Sequence, residues 1–258
     1  VQRDPREIAS RRNGRPQGLR RKTILVNPFA VSRGLQIVCL ATFVNRMGGM
    51  GLPFLVLYLT LNLGFSAATA GAILAIYGFT ALLAGALGGR LADHFGALRM
   101  MRVSLAASGL VLILFPFAGS FGTVAAMTIL WAAAMESFRP ANLAHIGDLG
   151  SEQGKSAFAL ARFASNLGMS IGPAIGGFLA QVSFPLLFVI DGATALAASS
   201  ILRTVPLPAS HTTVSSTSVP RHGLLDAFWK DSSLRMFIIG IFPAGVGFSQ
   251  FNSSLPLF

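Results

Sequence analysis

Acidic side chains are scarce in this sequence: nine Asp and Glu among 258 residues, against 20 Lys and Arg. Charged residues of both signs reach only 11%, less than half of the roughly 25% usual for a soluble domain. So few charges cannot cover a water-facing surface of ordinary polarity. The 53% hydrophobic fraction equally excludes a disordered chain. Cysteine is nearly absent. Cys39 stands alone, which excludes an intrachain disulfide framework and a multi-cysteine metal site; in its apolar run it reads as a small buried hydrophobe. The four histidines form no cluster with metal-ligand spacing, no nucleophile–base pair stands out, and no phosphate-binding loop ending in Lys and Ser or Thr occurs. No enzyme, ATP-driven pump, metal or other cofactor is therefore expected. Alternating strand patterns are missing too, so the runs do not read as barrel strands.

What is present is a series of long apolar runs. A membrane-crossing helix needs about 20 largely apolar residues. Six complete candidates lie near 34–61, 67–89, 103–115 (with 100–101 and 116–117 at its ends), 123–138, 158–180 and 186–202, and a seventh begins at 236. The expected fold class is an all-α integral membrane protein. Four segments follow: a basic tail (1–33), six transmembrane helices (34–204), a linker (205–235) and a partial seventh helix (236–258). The linker opens rich in Ser, Thr and Pro. It continues as a short amphipathic stretch, with Trp229 expected at headgroup depth. The sequence starts with Val and stops within an apolar run, so a truncated chain is expected.

The cations are unevenly placed. Nine lie in the tail. Arg90, Arg99 and Arg102 flank the 2–3 connection, Arg139, Lys155 and Arg162 the 4–5 connection, and Arg203, Arg221, Lys230 and Arg235 the 6–7 connection. The 1–2, 3–4 and 5–6 connections carry none, and Arg46 lies inside the first run. Lys and Arg in short loops stay on the cytoplasmic side. The N-terminus is thus expected in the cytoplasm, with the basic tail against an anionic inner leaflet. The net charge of +11 is an orientation signal, not a nucleic-acid footprint, since the tail lacks interleaved aromatics and any folded motif.

Two glycine-containing motifs stand out. Between the second and third runs, Gly89, Asp93 and Gly96 fit G-x-x-x-D-x-x-G, with Arg90 inside it and Arg99 just after. Glycines allow a tight turn, and a carboxylate there can pair with an arginine or a helix N-terminus. In the fifth run, Gly168, Gly172 and Gly176 recur every four residues beside Pro173 and Gly177, so the three share one helix face suited to close packing. A third stretch, Arg139-Pro140-Ala141 through Asp148, ends the fourth run.

Together these resemble the loop, helix-5 antiporter and helix-4 motifs of the major facilitator superfamily, particularly its drug-efflux members. The resemblance covers nearly everything after the tail, as the first half of a twelve-helix protein with two six-helix halves. It implies alternating access around a midplane site lined by helices 1, 2, 4 and 5, with export of drug-like or other small organic molecules by proton antiport. Uptake of a metabolite, or a non-transporting scaffold should the half-length be natural, are the rival readings. The implied location is a bacterial inner membrane. The glycine face of helix 5 would seal against the missing opposite half, or alternatively form a static helix pair. One departure stands out: the family's mid-helix-4 Arg is absent, and Ile129 to Ser137 offers only Glu136.

Charges within the apolar runs complete the reading. Arg46 lies about 18 Å into the first helix at 1.5 Å per residue. With Asn45 it either faces a cavity and engages an acidic group or anionic substrate, or forms a structural pair or snorkels. Asp191 reads first as a helix-start carboxylate and alternatively as a protonatable coupling site. Tyr77 and Trp131 are candidate aromatic substrate contacts. Glu136 and Asp148 are expected in a cytoplasmic gate network with Arg90, Arg99 or Arg139. His94 and His145 are expected to be solvated.

Overall fold

A computed structural model describes residues 31–150 and 155–207, together with 232, 233, 236, 239 and 240. The basic tail up to 30, most of the linker with its amphipathic stretch, and nearly all of the partial seventh helix lie outside the described residues.

The first run forms α1 (Arg33–Gly48) and α2 (Gly51–Leu57), the latter passing into a π-helical turn at Tyr58–Asn62. Then follow α3 (Ala67–Phe95), α4 (Ala97–Leu114) with a 3₁₀ turn at Phe115–Phe117, α5 (Phe121–Gly150), α6 (Lys155–Val182) and α7 (Phe184–Arg203). No strand occurs among the described residues. Ser32 and Ser66 open α1 and α3 with hydroxyls that accept from Leu35 N (3.4 Å) and Thr69 N (3.1 Å), satisfying amides that a helix start leaves bare.

Five units are long and apolar enough to cross a membrane: 33–62, 67–95, 97–117, 121–148 and 184–203. The sixth, α6, has 28 residues, but Gly, Ser and Asn dilute its apolar content. Helix α3 packs on α5, α4 on both α5 and α7, and α1 on α6 and α7. The surface left over is apolar. Leu82 is 72% exposed, Phe178 75% and Phe117 83%, an arrangement suited to lipid rather than water.

Buried residues divide into two clusters at the two ends of the bundle. One joins Leu35, Val38, Leu98, Met101, Phe138, Ile146, Ala161 and Leu202. The other joins Leu55, Tyr58, Ile73, Leu112, Phe115, Trp131 and Phe188. The second is rich in rings: Phe115 stacks on Phe188 at 4.8 Å, and Tyr58 tilts against Phe188 at 4.7 Å.

Helix α3 runs six residues beyond the expected 67–89. Nothing in Arg90–Phe95 breaks a helix, and the chain turns only at Gly96, whose φ of +90° suits glycine. Gly89 and Asp93 are therefore helical rather than part of a loop. Arg90, Asp93 and Arg99 are exposed, and no ion pair joins them among the described residues. The close approach expected of Gly89 falls to its neighbour Gly88. A Cβ on Gly88 would lie 2.8 Å from Ser137 Cα, whereas at Gly89 the nearest atom, Pro140 Cβ, is 3.9 Å away.

The second correction concerns α5, which continues twelve residues past the expected end at Phe138, with Pro140 inside it. A proline removes a single amide bond, and neighbouring helices stabilise the segment enough to absorb that. His145 consequently sits in the packed end of the bundle, 8% exposed, rather than in solvent.

Arg102 does more than orient the chain. Its Nε donates to Leu202 O at 3.1 Å and Nη2 donates to Val205 O, so the guanidinium caps the last carbonyls of α7, while Ser199 Oγ donates to Arg102 O at 2.9 Å. Arg102→Gln is expected to lower stability by about 1–3 kcal/mol, the worth of hydrogen bonds from a charged donor. A lowered thermal transition in detergent, with faster amide exchange confined to the end of α7, is the result to look for.

Candidate functional site

The first run breaks at Gly48-Gly49-Met50-Gly51, and the break organises the interior. Gly49 N donates back to Arg46 O (3.3 Å), ending α1, and α2 restarts at Gly51. The restarting helix exposes amides that need acceptors. Asp191 supplies one: its Oδ2 accepts from Gly51 N at 2.9 Å across 140 residues of sequence, with Met50 N–H also facing the carboxylate. Asp191 is the eighth residue of α7 and is buried. It therefore does not cap its own helix, as the sequence suggested, but the start of another.

Around the break lies a cavity of about 480 Å³. Asn45, Arg46 and Gly49 line it from α1 and the break, and Leu52, Pro53 and Val56 from α2. Leu74, Tyr77 and Gly78 come from α3, Ser108 and Leu112 from α4, and Trp131, Met135, Glu136 and Arg139 from α5. Met169 on α6, and Asp191 and Ala195 on α7, complete the wall. All five candidate substrate or coupling residues (Asn45, Arg46, Tyr77, Trp131 and Asp191) thus meet at one cavity.

Glu136 and Arg139, expected in a gate network, line this cavity. Because α5 runs to Gly150, Glu136 is near its midpoint. Tyr77 Oη donates to Glu136 Oε1 at 3.2 Å, and Arg139 Nε lies 3.6 Å from Glu136 Oε2. The gap left by the absent family arginine is filled by this carboxylate and by an arginine one turn later. Tyr77 meets Trp131 edge-on at 5.1 Å, which joins the polar group to the ring-rich core.

Two donors in the wall are unpaired. Asn45 is 1% exposed, and its Nδ2 has no hydrogen-bond partner; neither has the buried Nε of Arg46. Buried polar atoms are otherwise nearly always satisfied.

The glycine face of α6 is occupied from within this bundle. A Cβ on Gly168 would lie 2.7 Å from both Phe43 O and Arg46 Cβ, one on Gly172 2.9 Å from Met47 O, and one on Gly176 2.8 Å from a ring carbon of Phe54. The face expected to seal against the opposite half instead seats the first span and fixes Arg46 at the cavity. Gly177 meets nothing within 4 Å, and Pro173 is exposed within the continuous helix.

Sequence reasoning missed two close contacts: Gly88 on Ser137, and Gly109 and Gly192 on each other. A Cβ on Gly109 would lie 2.7 Å from Gly192 O, and one on Gly192 2.6 Å from Gly109 O. The signal was available as glycines inside helical runs, where each costs about 1 kcal/mol against alanine and so calls for a packing reason.

A bundle of membrane-length apolar helices around a charged internal cavity defines an integral membrane protein. The chain belongs to the Major Facilitator Superfamily, whose family model matches residues 38–258. It is 29% identical over 229 residues to the uncharacterized MFS-type transporter YqjV of Bacillus subtilis, covering 85% of this chain and 54% of the relative. The MFS-type transporter YttB of the same organism is 28% identical over 162 residues, covering 62% and 40%. Quinolone resistance protein NorA of Staphylococcus aureus is 26% identical over 151 residues, covering 58% and 39%. The chain spans about half the length of the curated relatives it matches.

Proposed function

We propose that the protein is a secondary active transporter working by alternating access, which exports drug-like or other small organic molecules in exchange for protons. The observation that carries this reading is the cavity. It sits between the two packed ends of the bundle, draws on every helix, and holds Arg46, Glu136, Arg139 and Asp191 together. Charges at membrane depth are costly and are kept where a solute or ion passes. The likeness to NorA, a quinolone resistance protein, supports a drug-like solute.

Rocking requires two halves around the site. This chain supplies one wall of it, and a second six-helix half supplies the other. Glu136 and Asp191 are the carboxylates placed to exchange protons. The distribution of Lys and Arg supports a cytoplasmic N-terminus in a bacterial inner membrane.

Efflux tests the proposal. Cells producing the intact protein are loaded with a fluorescent quinolone, and its loss is followed before and after an uncoupler. Efflux that stops when the proton gradient collapses is the expected result. Efflux that continues without the gradient would contradict proton antiport, and accumulation against the gradient would favour the uptake reading.

A further inference from the structure

Within this half, the acidic groups of the cavity are already engaged. Glu136 accepts from Tyr77 and pairs with Arg139. Asp191 accepts from the restarting backbone at Gly51. Arg46 makes no ion pair among the described residues, and its Nε and the neighbouring Nδ2 of Asn45 are buried without acceptors. Gly168 and Gly172 pack against the backbone of α1 at Arg46 and Met47, so α1 cannot rotate to carry these donors elsewhere. The same lining includes Trp131, Leu112 and Met135, a ring and two apolar chains. Two unsatisfied donors, one of them cationic, in a cavity that also has these apolar side chains in its lining fit a molecule with an oxyanion at one end and an apolar body.

We propose that Arg46 and Asn45 form the head-group site for amphipathic organic anions, carboxylates in the first instance, whose apolar body lies along Trp131, Leu112 and Met135. The inference rests on the cavity being the transport site, and it adds the class of solute. A guanidinium and an amide can donate to the two oxygens of one carboxylate. Charge-assisted bonds of this kind are roughly twice as strong as neutral ones. A cationic solute would instead add charge beside Arg46 while leaving both donors unsatisfied.

These 258 residues hold two tryptophans, so in the intact protein Trp229→Phe, with every tryptophan outside these residues also replaced by Phe, leaves Trp131 as the sole reporter on the cavity wall. That variant, purified in detergent, is titrated with adamantane-1-carboxylate, adamantane-1-carboxamide and 1-adamantylmethylammonium, three compounds with one body and different heads. Trp131 emission reports binding. The carboxylate is expected to bind at least about tenfold more tightly than the carboxamide, the effect of one charge-assisted hydrogen bond. Arg46→Gln should remove that preference, lowering carboxylate affinity by much more than carboxamide affinity. Asn45→Asp, which sets a carboxylate beside Arg46, should remove it without deleting the arginine.

Equal or tighter binding of the ammonium compound, or a carboxylate preference that survives both substitutions, overturns the head-group assignment while the cavity reading stands. Binding of none of the three to the folded chain overturns both.

Discussion

Replacing Gly192 with valine is expected to prevent the bundle from assembling rather than merely loosen it. Gly192 of α7 and Gly109 of α4 meet backbone to backbone. A Cβ on Gly192 would lie 2.6 Å from Gly109 O, 2.8 Å from Ile113 Cγ1 and 3.0 Å from Ile113 N. Two of these three obstacles are main-chain atoms, so no rotamer change relieves them. Forcing extra carbon into a packed interior typically costs about 1–3 kcal/mol, and here the helices must part, so a loss above about 3 kcal/mol is expected. In a membrane, helices associate through such close contacts rather than by expelling water, which leaves little to compensate. Size-exclusion chromatography after graded heating in detergent measures the effect: Gly192→Val should give no monodisperse peak. Gly177→Ala is the control. It meets nothing within 4 Å and should be neutral or slightly stabilising. A Gly192→Val chain that melts like the parent would contradict the assigned packing.

The second large effect is expected at Asp191. Asp191→Ala strips the acceptor from Gly51 N in a buried setting. An unsatisfied buried donor costs about 1–3 kcal/mol, and the space left by the carboxylate adds to that. Asp191→Asn keeps an oxygen that can accept from the same amide, and is expected to recover most of the loss. Thermal unfolding compares the two, with Trp131 emission reporting disturbance of the cavity wall. Equal behaviour of the alanine and asparagine variants would mean that the bond to Gly51 contributes nothing.

Sequence and structure agree most closely where residues act through local pattern. Length and hydropathy revealed the spans, and the four-residue spacing of Gly168, Gly172 and Gly176 announced a close helix contact. Charge in an apolar run singled out Arg46 and Asp191. What pattern could not supply was the partner. Nothing near Gly168 says that α1, rather than another half, fills its face. Nothing near Asp191 points to Gly51, 140 residues away. The end of the fourth span was drawn too early for a different reason. The apolar run stops near Phe138, but α5 continues through Pro140 to Gly150, and this sets Glu136 near its midpoint rather than at its end. The glycines at 88, 109 and 192 carried a packing signal, but nothing in the local pattern names Ser137 as the neighbour of the first or pairs the other two.

The central claim, that the cavity is reached in turn from both sides of the membrane, can be measured without knowing the solute. Cys39 is the sole cysteine of these 258 residues and is buried, so replacing it, together with every cysteine that the intact protein carries outside them, by alanine gives a silent background into which Met135→Cys is introduced on the cavity wall. A membrane-impermeant thiol reagent is then applied to the intact protein in right-side-out and in inside-out vesicles. Labelling in both preparations, with the balance between them shifted by a proton gradient, is what the account predicts. Labelling from one side only, unchanged by the gradient, would contradict it.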